Sequence, residues 1–377
     1  MHSPWRHLGS VFCKRQPVQL TFFVTRKCNA RCPFCFYLNS STPPPRDEAE
    51  LTLAEIERVA GSLGPLLWLA FSGGEPFLRK DIAAISRVFY EHNRPAIMLL
   101  PTNGLLPELV RSRTEQILSE CPQSTVVVKV SLDGIGADHD QLRGTPGGFE
   151  RVLQTCRALA PLLDKHPNFE LGINSVMLRD NQHRIEDLID FVATLPPVST
   201  HTVSLVRGPL RDGAYKDVDP GRYAQVAAVL AQRLQGGATG YYRFRGARLK
   251  AAQDILQRRL IQRTLVEQRR LIACYAGRLN LVLTETGAVY PCEILDAHMG
   301  NVREHGCDMQ RLLASAPARA VQQQVRDGPC HCTHECNFIT NILFNPRLVP
   351  ALAAQYLGLL RRPKAAHAGT PQPAPAR

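Results

Sequence analysis

The chain has 377 residues, 44% of them hydrophobic, and its 45 Lys and Arg outnumber 33 Asp and Glu to leave a formal charge of +12. That length holds one barrel-sized domain plus a smaller one, or two ordinary domains. No apolar run approaches the ~18 residues of a membrane span, the start MHSPWRHLGS lacks a signal peptide's apolar stretch, and Arg is scattered rather than clustered with aromatics; these features point to a cytoplasmic protein with no membrane or nucleic-acid partner.

After an N-terminal extension over 1–17, β-rich runs are expected at 18–25, 66–71, 96–101, 125–132, 169–177 and 201–206. Between them lie stretches such as 51–63, 81–93, 148–163 and 183–195, whose apolar residues recur at helical spacing. Six β-then-α units in succession imply right-handed crossovers and a parallel sheet. Residues 18–240 are therefore read as an α/β domain, a partial (β/α)6 barrel of the TIM type. The Pro-rich segment 39–50 reads as a linker. Past residue 240 the pattern changes to an Arg- and Gln-rich helix over about 245–272, a hairpin over 279–292 turning at Glu285 to Gly287, and a helix over about 308–326. We read 241–345 as a small C-terminal domain and 346–377 as a helix followed by a disordered tail, because RRPKAAHAGTPQPAPAR has nothing to bury.

The twelve cysteines do not suggest a disulfide framework, which belongs to short secreted chains. Three fall within 28–35 and a second group is Cys274, Cys292, Cys330, Cys332 and Cys336, while Cys13, Cys121, Cys156 and Cys307 are dispersed and read as small buried apolar residues. The run Cys28-Asn29-Ala30-Arg31-Cys32-Pro33-Phe34-Cys35 follows the first strand, on the edge where a barrel of this kind carries its active site. Thiolates at C-x3-C-x2-C spacing can hold three corners of a [4Fe–4S] cube and leave the fourth iron open to a small molecule. The alternative is a zinc knuckle, which needs a fourth Cys or His, and none follows until His92.

This loop resembles that of the radical S-adenosylmethionine (SAM) superfamily, including the aromatic Phe34 before the last cysteine. The resemblance implies that the open iron chelates the amino and carboxylate groups of SAM, and that one electron from the cluster releases a 5′-deoxyadenosyl radical that removes hydrogen from substrate. Further segments carry the resemblance along the strand ends. Gly73-Gly74-Glu75-Pro76 is similar to the motif that meets the SAM amino group. Asn103, Ser131 and Asp133 match segments lining the SAM pocket, Arg143 matches an arginine that pairs with the SAM carboxylate, and Asn174 matches a ribose or adenine contact. Arg207 ends the sixth strand, where it could face substrate.

Cys274, Cys292, Cys330, Cys332 and Cys336 resemble the auxiliary-cluster extensions of the same superfamily, called SPASM with two clusters and twitch with one. Five cysteines suit the one-cluster form. The resemblance implies a second [4Fe–4S] cluster on Cys274, Cys292, Cys332 and Cys336, with Cys330 as an alternative ligand, serving electron transfer. A structural zinc site aided by His331 and His334 is the competing reading, and His298 and His305 read as solvated. The implied activity is that of a radical SAM oxidoreductase or maturase which oxidises or cross-links an unknown peptide or small molecule, with an electron from flavodoxin or ferredoxin. Methyl transfer or carbon rearrangement is an alternative, as is a non-catalytic zinc protein contacting nucleic acid.

Overall fold

The computed structural model describes residues 1–39, 49–236, 242, 244 and 246–360. The tail expected over 361–377 and most of the linker expected over 39–50 lie outside the described residues. No helix among the described residues is long and apolar enough to cross a membrane.

The six expected strands form as β1 (Gln19–Thr25), β2 (Trp68–Gly73), β3 (Ile97–Thr102), β4 (Thr125–Ser131), β5 (Phe169–Met177) and β6 (Thr200–Leu205). Helices α1 (Leu53–Ser62), α2 (Ile82–Asn93), α3 (Pro107–Glu120), α4 (Ala137–Arg143), α5 (Gly148–Lys165), α6 (Ile185–Ala193) and α7 (Pro220–Gly236) follow in the crossovers and after β6. The six strands pair in parallel in sequence order, so all their C-terminal ends share one rim. β1 is buried along its whole length, the polar Gln19, Thr21 and Thr25 included, as befits a strand covered on both faces. Local signals agree with this fold: Thr52 and Glu55 cap α1 reciprocally, and Arg94 ends α2 in the left-handed conformation.

The C-terminal part joins the same sheet. α8 (Ala247–Glu267) leads to β7 (Asn280–Leu283), which pairs in parallel with β1 and continues the sheet; β8 (Ala288–Tyr290) and β9 (Gly300–Asn301) follow antiparallel, giving nine strands in the order β6-β5-β4-β3-β2-β1-β7-β8-β9. α8 is buried continuously from Ala251 to Gln257, the mark of a helix enclosed on all sides. It packs against α7, α11 (Glu335–Leu343) and α12 (Val349–Leu360). The helix expected over 308–326 is two, α9 (Met309–Leu313) and α10 (Ala316–Asp327), because Ser315 caps a new helix whose first turn holds Pro317. The extension before β1 also has structure, a 3-10 helix over Pro4–Val11 whose Arg6 donates to the Leu66 carbonyl at 2.9 Å.

Candidate active site

The parallel register carries chemistry-bearing residues to one rim. Cys28, Cys32, Cys35 and Phe34 lie on the loop after β1, Gly73 to Pro76 at the end of β2, and Asn103 just after β3. Ser131 ends β4 and is the register partner of Asn174 on β5. Together with Arg143 and Arg207 these side chains line a single cavity.

The glycines of the β2 turn are dictated by the cysteine loop. Gly73 has φ 121°, and a Cβ on Gly74 would overlap the Lys27 carbonyl oxygen. The Gly74 and Glu75 amides donate to the Thr25 and Lys27 carbonyls, both at 2.8 Å. The turn thus clamps the start of the cysteine loop with backbone. Glu75 is 1% exposed and accepts from the Asn103 amide at 2.7 Å and the Phe77 amide at 3.2 Å. Burial outweighs those donors and pushes its carboxyl up to about 7. Asn103 turns its amide toward Cys28 Sγ at 3.8 Å and Asn29 Oδ1 at 2.7 Å.

Burial also raises the thiols of Cys28 and Cys32, the latter to about 11, against a lowering by nearby Arg143. Metal binding here must displace protons from buried sulfurs, which favours a highly charged acceptor of several thiolates. The donor set fits a cluster better than one ion. A tetrahedral zinc with 2.3 Å bonds holds its sulfurs about 3.8 Å apart. Among the described residues the one set of three metal-binding atoms within 4.8 Å of one another is Glu293, His334 and Cys336, not the three loop cysteines.

Of the residues matched to the SAM pocket, Asp133 is the one that does not line the cavity. It is fully buried beside it and accepts from Arg143 Nε at 2.6 Å and the Val176 amide at 2.7 Å. Arg143 reaches the cavity from that anchor, its guanidinium 5.9 Å from the centre of the Phe34 ring. Burial tends to lower its proton affinity, but Asp133 reverses this and keeps the group charged.

Cys274 packs against the small buried cluster of Ala276, Cys292 and Val325. Burial raises the thiols of Cys292 to about 11 and of Cys332 to about 12. Cys336 is likewise raised by burial to about 12, next by Glu293, and it lies close to Glu293 and His334. Sequence reasoning overlooked Glu293; the available signal was an acid directly after Cys292. Its side chain is 4% exposed and accepts from Arg207 Nη2 at 2.8 Å and Nε at 3.1 Å, with His334 Nε2 at 3.5 Å. Burial alone would raise the Glu293 carboxyl, but Arg207 and His334 hold it below the usual range. The dispersed cysteines Cys121, Cys156 and Cys307 are buried as expected, whereas Cys13 is exposed, because it follows the surface 3-10 helix instead of entering the core. His298 is exposed and His305 half-buried.

Residues 22–192 match the model of the Radical SAM superfamily. The chain is 29% identical over 303 residues to an AdoMet-dependent heme synthase of Methanosarcina barkeri, covering 76% of this chain and 80% of that protein. It is 23% identical to the sporulation killing factor maturation protein SkfB of Bacillus subtilis, covering 86% and 71%. In fold it is similar to the crystal structure of Streptococcus suis SuiB bound to precursor peptide SuiA, with a TM-score of 0.56 at 14% identity over 84% of this chain and 69% of that one.

Proposed function

Because this chain carries a radical SAM domain and is an enzyme that binds a [4Fe–4S] cluster and SAM, we propose that Cys28, Cys32 and Cys35 hold that cluster and that the enzyme oxidises its substrate by hydrogen abstraction. The observation that supports this most is the convergence of residues from all six strand ends and from α4 on one cavity with those three thiols. Enzymatic activity sets aside a non-catalytic zinc protein.

When bound, the cluster supplies one electron to SAM, and the resulting 5′-deoxyadenosyl radical takes hydrogen from substrate. The chain's own residues bind and orient. Arg143, held by Asp133, meets the SAM carboxylate with a planar fork suited to it. Glu75 and the open backbone at Gly73 and Gly74 face the amino group, while Asn103, Ser131 and Asn174 supply donors and acceptors to the nucleoside. Phe34, packed with Leu178, Val206 and Leu210, closes one wall against water.

We further read 241–345 as the unit that holds a second [4Fe–4S] cluster, with 18–240 as the catalytic barrel. Cys274, Cys292, Cys332 and Cys336 are ligands in this reading, with Cys330 as the alternative fourth. Four thiolates would saturate a cube, which would then supply an acceptor for an electron from the substrate rather than a site that binds it. A reduced flavodoxin or ferredoxin in the cytoplasm is the expected donor. The substrate is a peptide or a small molecule, since relatives of both kinds match. Anaerobically reconstituted protein should carry about eight irons and release 5′-deoxyadenosine from SAM under dithionite. Colourless protein that leaves SAM intact would overturn the reading.

A further inference from the structure

The two phenylalanines that flank Cys35 each lie beneath a guanidinium. Arg143 stands 5.9 Å from the Phe34 ring centre and Arg207 stands 5.1 Å from that of Phe36. Each arginine is gripped through Nε by a buried carboxylate behind the cavity wall, Arg143 by Asp133 and Arg207 by Glu293. Both line the cavity that contains the three loop cysteines. Arg143 already has a task in the proposed reading, the carboxylate of SAM. Arg207 has the same construction and no such task.

Arg207 is not consumed by its ion pair. Glu293 takes Nε and Nη2, while Nη1 donates no hydrogen bond among the described residues, and the side chain keeps 23% of its exposure. A latch between β6 and the segment after Cys292 would need none of that open edge. Around it the cavity is apolar, with Phe36, Leu38, Leu205 and Val206 on its walls. In such surroundings a fixed guanidinium edge with free donors is a receptor for an anion, and its planar fork suits a carboxylate. The stack on Phe36 and the pair with Glu293 hold it in place before the anion arrives.

We propose that Arg207 anchors a carboxylate of the substrate, so that the enzyme selects substrates bearing an acidic group on an apolar frame. This deepens the proposed function and rests on it. Two sources offer that chemistry, a tetrapyrrole propionate and a glutamate side chain within an apolar peptide.

The test is equilibrium binding to the anaerobically reconstituted full chain with SAM present. One arm compares iron protoporphyrin IX with its dimethyl ester, and the other compares a leucine-flanked glutamate peptide with its glutamine counterpart. A carboxylate form in one arm should bind at least about tenfold more tightly than its neutral partner, as one desolvated charged hydrogen bond permits. Arg207→Gln should erase that preference and Arg207→Lys should retain part of it, and the arm that shows it identifies the source. Iron content and the KM for SAM, read on the same samples, separate failure of the anchor from failure of the cluster assignment. Absence of a carboxylate preference in both arms, its survival in Arg207→Gln, or a rise in the KM for SAM in place of its loss would overturn the proposal.

Discussion

The two cysteine groups are built in opposite ways. The first comes from one loop at the end of β1, clamped by the Gly73–Gly74 backbone and opening on a cavity. The second is gathered from the segment before β7, the turn after β8 and the stretch after α10, with Cys292 buried and Cys332 half-buried. A site encoded within eight residues leaves an unfilled corner and can act on a small molecule. A site assembled from distant segments, if it holds the second cluster proposed above, would enclose it and tie the chain together. The first should therefore be needed for chemistry and the second for chemistry and folding alike.

The strongest way to break that contrast is Cys32→Ala. It should abolish 5′-deoxyadenosine release under dithionite and lower iron from about eight to about four per chain, with the circular dichroism of the protein unchanged. Cys292→Ala should also remove about four irons, yet leave SAM cleavage in place while product is lost, and it should lower the thermal midpoint. Equal loss of SAM cleavage in both variants would erase the distinction between the sites.

Asp133→Asn sharpens the contrast within the first site. Removing one member of a buried ion pair costs roughly 3–5 kcal/mol, read as a fall in denaturant midpoint, and Arg143 freed from its anchor should raise the KM for SAM about tenfold, the equivalent of one charged hydrogen bond. The smallest effect concerns pH. Burial raises the Glu75 carboxyl to about 7, so the native state binds its proton more tightly than the unfolded chain does. Its contribution to stability is complete below the ordinary carboxylate range and is lost as pH climbs toward 7. In cluster-free protein, Glu75→Gln should flatten that decline; an unchanged slope would show that Glu75 titrates normally.

Much of the barrel was legible because its signals are local. Apolar β-branched runs such as Val126–Val128 mark buried parallel strands, and C-x3-C-x2-C with Gly-Gly-Glu marks the rim. What was not legible depends on pairing across the chain. No property of Asn280–Leu283 announces that this strand adds beside β1, because register partners are chosen by the folded sheet. Asp133 read as a cavity residue because its segment resembles one that lines the SAM pocket; only the fold shows it turned to the back of Arg143. Glu293 offered only its place directly after Cys292, since its meaning comes from Arg207, 86 residues earlier.

The central claim is that three loop cysteines hold a cube whose fourth iron is open to SAM. Electron–nuclear double resonance on the dithionite-reduced enzyme with 15N-amino and 17O-carboxylate SAM tests it most directly. The account predicts couplings from both labels that persist in Cys292→Ala and vanish in Cys32→Ala. Couplings absent from the wild type, or retained in Cys32→Ala, would contradict it.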